Sequence, residues 1–179
     1  MEKSLTKNSI FYLIYNVLNV VFPFITGIYV ARILLPGDIG LIETAKNLAS
    51  YFVIFSFLGI PTYGLREISK VRNDRKKLDK LYSELMVINT LSTTVFLILY
   101  FIIIFSIQSY RSNLIVFLIT GIAIALNFLN NSWLFEGLEK FDYISIRNFM
   151  FKFLSLLLLF LFVRTKDDYL NYAFITVLG

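Results

Sequence analysis

Long apolar segments separated by short polar ones dominate the chain. Five of them reach or approach the roughly 20 residues that a helix needs to cross a bilayer; they cover residues 10–33, 40–60, 81–107, 114–133 and 144–163. A sixth covers residues 172–179 and is incomplete. The apolar positions do not alternate with the two-residue period of a barrel strand. We therefore expect an all-α polytopic membrane protein with about five and a half transmembrane helices, and a chain that is a fragment or a truncated gene product.

Composition supports this class and excludes several kinds of chemistry. Of the residues, 58% are hydrophobic and 16% are charged, whereas a soluble domain has about 25% charged residues. The chain has no Cys and no His, which excludes disulfides, zinc sites built on those ligands and Cys–His or Ser–His nucleophiles. The net charge of +5 arises from loops, where membrane topology explains it, so we expect no nucleic-acid partner.

The basic residues predict the orientation. With a cytoplasmic N-terminus, twelve Lys and Arg fall inside: Lys3, Lys7, Arg66, Lys70, Arg72, Arg75, Lys76, Lys77, Lys80, Lys140, Arg147 and Lys152. Four fall outside, namely Arg32, Arg111, Arg164 and Lys166, and Lys46 lies inside a span. The positive-inside rule therefore predicts a multi-pass inner-membrane protein with its N-terminus in the cytoplasm.

The charged segment 62–80 is predicted to be a cytoplasmic loop. Leu78, Leu81 and Leu85 keep helical spacing across its end, so we expect the third helix to extend into it. Its seven basic residues are interpreted mainly as a topology signal on a solvated face. Contact with anionic lipid headgroups is the alternative.

Polar residues inside the first span are the first candidates for function. They recur every three or four residues, on one slowly drifting helix face: Asn8, Tyr12, Asn16, Asn19, Pro23, Thr26 and Tyr29. Polar groups in a bilayer need partners, so this face is expected to line a helix bundle or a wet cavity. Pro23 is expected to kink the helix. Interhelical hydrogen bonding with a structural kink is the alternative.

The other spans continue this polar pattern. In the second span Glu43, Lys46, Asn47 and Ser50 share one face, and Glu43 is close enough in sequence to pair with Lys46. The pair is either structurally inert or part of a hydrated substrate path. The third and fourth spans add Glu84, Asn89, Thr93, Asn127, Asn130 and Asn131. These stripes suggest one shared aqueous lumen.

Two basic residues lie near the ends of predicted spans. Arg32, at the outer end of the first span, would add positive charge at the mouth of that lumen. Extension of its side chain to lipid headgroups explains Arg32 equally well. Lys152, near the start of the fifth span, is expected to extend to the cytoplasmic interface.

Catalytic motifs are lacking in the sequence. We find no phosphate-binding glycine loop, no cluster of metal ligands and no nucleophile with an adjacent base, which are the patterns that mark enzymes. The sequence therefore predicts a pathway rather than a catalyst, with no cofactor and no metal.

Three groups of residues resemble bacterial O-antigen and capsular polysaccharide flippases. The first comprises Tyr15-Asn16, Asn19, Phe22-Pro23, Ile25-Thr26, Tyr29-Val30-Ala31-Arg32-Ile33-Leu34, Gly37 and Gly40. The second comprises Leu58-Gly59-Ile60, Tyr63-Gly64 and Arg66-Glu67-Ile68. The third runs from Trp133 to Phe141 and continues into Ile144 and Ile146-Arg147-Asn148. They occur in the family's order, at the same helix ends and over nearly the whole chain.

This resemblance implies a member of the multidrug/oligosaccharidyl-lipid/polysaccharide export superfamily. Such proteins have two bundles with twelve or fourteen helices in all, and residues 1–179 would form most of the first bundle. Their substrate is a polyprenyl-pyrophosphate-linked oligosaccharide repeat unit, moved across the cytoplasmic membrane. The implied partners are this substrate, membrane lipids, the C-terminal bundle, a polysaccharide polymerase and a chain-length regulator.

The resemblance also implies roles for the polar residues. Asn16 and Asn19 would bond sugar hydroxyls, and Arg32 and Lys46 would offset the pyrophosphate charge. Glu43 or Glu84 would couple transport to ions, and Pro23 would serve as a hinge. The remaining predicted pathway residues are Asn47, Asn89 and Asn127.

Three other functions stay open at this stage. A drug/cation antiporter of the same superfamily would share the fold and carry a smaller substrate. A membrane-embedded polysaccharide polymerase or lipid-phosphate transferase would need catalytic residues in the external loops, which are short. An assembly protein would use the polar residues only for packing.

Overall fold

All elements that the structure describes are helices. The structure is a computed structural model; it describes the backbone of residues 2–178 and the side chains of residue 17 and residues 19–178. The α-helices are α1 (Glu2–Ile33), α2 (Pro36–Ser56), α3 (Ile60–Val71), α4 (Arg75–Ser106), α5 (Gln108–Arg111), α6 (Leu114–Leu126), α7 (Ser132–Gly137), α8 (Phe141–Phe162) and α9 (Tyr169–Leu178). Short 3-10 turns cover Asn127–Leu129 and Lys166–Asp168. The prediction of an all-α polytopic membrane protein is confirmed.

Three helical segments are long and apolar enough to cross a bilayer: α4, Leu114–Gly137 with α6 and α7, and α8. Helices α2 and α3 make a fourth if this pair, bent by 42°, counts as one span. In α1, the described side chains from Asn19 to Ile33 form an apolar segment shorter than a span. In the rest of the first predicted span, only residue 17 has a described side chain.

The predicted loop at residues 62–80 is largely helical, because α3 continues to Val71. Helix α2 ends at Ser56, and Leu58 and Gly59 follow with φ angles of 47° and 77°. This left-handed turn favours glycine and redirects the chain. Three buried residues then follow at helical spacing: Ile60, Gly64 and Ile68. Helix α3 therefore has one apolar face, which the charged residues of this segment hide in the sequence pattern.

The predicted span 114–133 is broken near its end. Helix α6 stops at Leu126, a 3-10 turn follows, and α7 begins at Ser132. Asn127, Asn130 and Asn131 fall at this break, and asparagine side chains compete with the backbone for helical hydrogen bonds. By contrast, the expected extension of the third helix is confirmed, since α4 begins at Arg75.

The N-terminus of α4 is capped. The Asp74 carboxylate accepts a hydrogen bond of 3.2 Å from the Lys77 backbone N–H. This bond satisfies one of the N–H groups that a helix leaves open at its start. Hydrogen bonds from the Lys77 backbone N–H and from the Lys77 side chain hold the pKa of Asp74 below its ordinary value.

The chain divides into two compact units. The terminal unit comprises Met1–Ile42 with Lys140–Gly179, and the middle unit comprises Glu43–Glu139. In the terminal unit, α8 packs against both α1 and α9. Tyr29 lies edge-on to Phe160 at 4.6 Å between ring centroids, and its hydroxyl donates to the Val163 carbonyl at 2.9 Å.

The middle unit is built around α4, which packs against α3 and α6. One cluster joins Ile60, Ile68, Leu85 and Trp133. A second centre surrounds the fully buried Tyr100, whose hydroxyl donates to the Phe117 carbonyl at 2.7 Å. Burial of these aromatic side chains stabilises the unit, because each ring buries a large apolar surface against its neighbours.

Candidate functional site

The terminal unit contains a lysine inside a transmembrane helix. Lys152 is the twelfth of the 22 residues of α8, and its ammonium group donates a hydrogen bond to the side-chain oxygen of Asn19 on α1. The expected extension of Lys152 to the interface is therefore wrong. Asn19 provides an acceptor halfway along α1, so the lysine head group is held against that helix.

Among the described side chains, the partner of Lys152 is a neutral amide, that of Asn19. Among the side chains that the structure describes, no carboxylate lies within ion-pair distance of Lys152. Placing a lysine at the centre of a spanning helix costs about 2.5–3.5 kcal/mol on insertion scales. A neutral amide oxygen offsets part of this cost, and the bond to Asn19 uses one of the three N–H donors of the ammonium group.

Glu43 and Lys46 form the ion pair that their spacing predicts. The Lys46 Nζ atom lies 2.7 Å from Glu43 Oε1 on successive turns of α2. Both side chains are partly exposed, at 36% for Lys46 and 44% for Glu43. The pair therefore stays accessible while each charge partly compensates the other.

The remaining predicted residues differ in exposure. Arg32 in the last turn of α1, Asn47 on α2 and Glu84 on α4 are exposed. Glu84 lies 4.0 Å from Lys80, one helical turn away. Helix α1 continues through Pro23. The side chain of Asn16 lies outside the described residues.

Asn89 and Asn127 are buried in the middle unit. Asn127 donates to the Ser56 hydroxyl at 2.9 Å, and Ser56 donates in turn to the Val53 carbonyl at 2.8 Å. This chain of hydrogen bonds ties the end of α2 to the 3-10 turn after α6. Asn89 is fully buried, and neither atom of its amide has a hydrogen-bond partner among the described residues.

Several residues of the family-like motifs pack against each other. A Cβ atom added to Gly64 would lie 2.5 Å from Trp133 Cε3, and one added to Gly137 would lie 2.7 Å from Ile68 Cγ2. Since real Cβ contacts are longer than 3.0 Å, both positions require glycine for the close approach of α3 and α7. The second and third motif groups therefore meet at one contact within the middle unit.

An ion pair completes this α3–α7 contact. The Arg72 guanidinium binds the Glu139 carboxylate just beyond the ends of the two helices. Glu139 has a left-handed φ of 57°, which costs a residue other than glycine about 1–2 kcal/mol.

Sequence reasoning missed the contact of Lys152 with Asn19 and the burial of Ser92 and Thr93 beside Asn89. A lysine at the middle of an apolar run is itself a signal, because intramembrane charges are rare. Its partner on a helix more than 130 positions earlier has no local sequence signal. Over the described residues, we find no group of three or more acidic side chains that could hold a metal ion.

Comparison with known proteins gives the family. A family model described as "Polysaccharide biosynthesis protein" matches residues 5–179. The chain is 28% identical over 177 residues to a Shigella dysenteriae protein, covering 97% of this chain and 43% of that protein. It is 22% identical over 165 residues to an Escherichia coli K12 protein, covering 92% and 40%. Both relatives bear the printed name "Putative O-antigen transporter".

The chain thus spans about two-fifths of the length of each of these curated relatives. No solved structure matches the chain significantly. The family match covers nearly every residue and includes the helices that carry Asn19, Lys152 and the α3–α7 contact. The chain belongs to the polysaccharide biosynthesis protein family.

Proposed function

We propose that this chain forms part of a transporter that moves a polyprenyl-pyrophosphate-linked oligosaccharide repeat unit across the bacterial cytoplasmic membrane. The product would supply O-antigen or capsule assembly at the cell surface. Membership of the family and two relatives named as O-antigen transporters support this class of substrate. The function would be transport rather than catalysis, because a headgroup that carries charge and sugars cannot cross hydrocarbon unaided.

The contact between Lys152 and Asn19 is the observation that carries the proposal. The substrate has a pyrophosphate next to its lipid, and an ammonium group inside a span is a natural partner for such an anion. Asn19 would position that ammonium group, and their hydrogen bond uses one of its three donors. A role in substrate binding would explain why a lysine that costs free energy is placed inside the membrane. A role in packing alone would not explain it.

The other polar residues would line the path around this contact. Arg32 and Lys46 would add positive charge for the pyrophosphate, and the exposed Asn47 would bond sugar hydroxyls. Glu43 or Glu84 would couple transport to ions. Asn16 would extend the polar face of α1, and Pro23 would let that helix bend. The buried Asn89 and Asn127 would act from inside the middle unit, by holding its helices.

The topology that we propose has the N-terminus in the cytoplasm. Asn19 lies beside Lys152, and Tyr29 lies beside Phe160, so contacts advance in the same direction along α1 and α8. Two parallel spanning helices require an odd number of crossings between them. The bent α2–α3 pair, α4 and the α6–α7 segment would supply three, and the positive-inside rule sets the direction.

The partners that we propose follow from the same function. Besides the lipid-linked substrate and membrane lipids, these are a C-terminal helical bundle, a polysaccharide polymerase and a chain-length regulator. The bundle would rock against this one in alternating access.

Complementation tests the proposal. The full encoded form of the protein would be expressed in cells that make the matching repeat unit but lack its translocator, and surface polysaccharide would be quantified. We expect Lys152→Met to lower export about 10-fold or more, since a charge-assisted hydrogen bond contributes about 1.5–3 kcal/mol. Lys152→Arg should retain most export because it keeps the charge.

Lys166→Met is the matched control. This substitution also removes a lysine charge, but from the exposed turn before α9, and export should stay normal. Membrane levels of all three variants would be compared by immunoblot. Normal export by a fully inserted Lys152→Met protein would contradict the proposed role of this contact.

A further inference from the structure

Helix α4 has two kinds of hydroxyl-bearing side chain. Thr90 and Thr94 lie on its exposed side, and each donates to the backbone carbonyl four residues earlier at 2.8 Å. Ser92 and Thr93 lie on its buried side, with 7% and 4% of their surface exposed. Neither of these buried hydroxyls has a hydrogen-bond partner among the described residues.

Asn89 extends the unpaired group by one turn. Its side chain is 0% exposed, and both the amide nitrogen and the amide oxygen lack partners. Positions 89, 92 and 93 have the spacing that brings side chains together on one helix face. Four unpaired polar atoms therefore lie within one turn of a membrane-spanning helix.

The unpaired hydroxyls are unusual for this helix. A serine or threonine in an apolar helix ordinarily bonds a carbonyl of its own preceding turn, as Thr90 and Thr94 do. An unpaired polar group inside a span costs free energy, because the surroundings offer no bulk water. Such a group normally bonds an internal water molecule.

We propose that Asn89, Ser92 and Thr93 form an internal site for one or two ordered water molecules within the middle unit. The donor and acceptor types favour water. The Asn89 amide nitrogen only donates, so its partner must accept, which a metal cation cannot do. Water accepts from this nitrogen and donates to the amide and hydroxyl oxygens. The complete burial of Asn89 leaves no room for a sugar.

The site does not depend on the proposed transport function. The bound water would hydrogen-bond the unpaired side chains on the buried face of α4, inside the middle unit. The nearest charged residue on α4 is Glu84, about one and a half turns before Asn89.

Near-isosteric substitutions test the site through thermal unfolding of the full chain in lipid nanodiscs. Ser92→Ala and Thr93→Val should each lower the unfolding midpoint by roughly 2–4 °C. The double variant should lose less than the sum if one water bonds both hydroxyls, and the full sum if each hydroxyl bonds its own water. Thr90→Val and Thr94→Val are controls on the same helix and should shift the midpoint by about 1 °C or less.

The opposite result overturns the proposal. If the buried hydroxyls were dry, their removal would raise the midpoint or match the Thr90→Val control. A midpoint that rises when sodium replaces choline, with the rise lost in Thr93→Val, would instead identify a cation site.

A second measurement on the unsubstituted chain needs no variant to fold. In solution NMR, the Asn89 side-chain amide protons should show a cross-relaxation peak with water in deuterated detergent. The absence of this peak while the Asn89 amide signal is resolved would also overturn the water site.

Discussion

The α3–α7 contact of the middle unit and the α1–α8 contact of the terminal unit use family-like residues in different ways. At α3–α7, Gly64 meets Trp133 so closely that one added carbon would overlap the ring. At α1–α8, Asn19 holds the charged head group of Lys152 inside a helical span. The first contact excludes any extra atom, whereas the second uses one of the three hydrogen-bond donors of the Lys152 ammonium group. The difference separates residues that determine helix packing, such as Gly64, from residues suited to binding a ligand, such as Lys152.

Removal of the Trp133 side chain should give the largest loss of folding free energy, at the α3–α7 contact. Trp133→Ala empties the centre of the cluster with Ile60, Ile68 and Leu85. Replacement of a buried tryptophan by alanine typically costs about 3–5 kcal/mol of folding free energy. Denaturant titration in detergent, followed by circular dichroism, would measure it. A loss below about 1 kcal/mol would show that the α3–α7 contact does not depend on this ring.

Overpacking is the next largest effect. Gly64→Ala should destabilise the chain by about 1–3 kcal/mol, because the new methyl group would press into the Trp133 ring. Gly40→Ala is the matched control, since it too replaces a glycine inside a helix but has no atom within 4 Å of the added carbon. There, alanine should stabilise α2 by about 0.5–1 kcal/mol. Equal thermal midpoints for the two variants would contradict the close packing.

The local stability of the turn before α9, outside both contacts, is expected to depend on pH. The Asp168 carboxylate accepts hydrogen bonds from the Thr165 hydroxyl and from the backbone N–H groups of Thr165 and Arg164, at 2.8, 2.8 and 3.1 Å. These bonds, that from the hydroxyl foremost, hold the pKa of Asp168 below its ordinary value. The stabilisation is therefore complete above the unfolded-state pKa and is lost as the pH falls through the lowered folded-state pKa.

Amide hydrogen exchange measures this change. After correction for intrinsic exchange rates, the protection of the Arg164 and Thr165 amides should fall as the pH drops below the ordinary range for aspartate. Asp168→Asn should lower their protection already at neutral pH, and Asp167→Asn, next to it, should not. Protection that is independent of pH in the unsubstituted chain would contradict the role of the carboxylate.

Glu139→Gly should have the smallest effect. Glycine relieves the left-handed φ of 57° at this position, and the variant loses the partly exposed ion pair with Arg72. An ion pair of this kind contributes about 0–1 kcal/mol, so we expect a net stabilisation of at most about 1–2 kcal/mol. Thermal unfolding would measure it. A clear fall in the midpoint would show that the ion pair is stronger than the backbone strain.

The sequence predicted the helices better than their contacts. The apolar run predicted at 144–163 is observed as helix α8, Phe141–Phe162. Such a helix is predictable because the length of a membrane-spanning helix can be read from consecutive apolar residues. Helix α3 was predicted as part of a loop, since the charges around Ile60, Gly64 and Ile68 dilute its apolar face. The spacing of Glu43 and Lys46 predicted their ion pair, because both lie on one helix.

Contacts between distant segments were not predictable in this way. The sequence marked Asn19 as polar and Lys152 as basic, but their meeting depends on how α1 packs against α8. Likewise, the motif glycines were recognised by resemblance, and only the packing of α3 on α7 explains why no side chain fits there.

Transport by purified protein tests the central claim most directly. The full encoded form would be placed in proteoliposomes with a polyprenyl-pyrophosphate-linked oligosaccharide, and its appearance in the opposite leaflet would be followed with a membrane-impermeant sugar-oxidising reagent. We predict translocation that Lys152→Met abolishes and Lys152→Arg retains, while Lys152→Met unfolds at the same temperature as the unsubstituted protein. Equal translocation by the unsubstituted protein and Lys152→Met, or none above protein-free liposomes, would contradict the account.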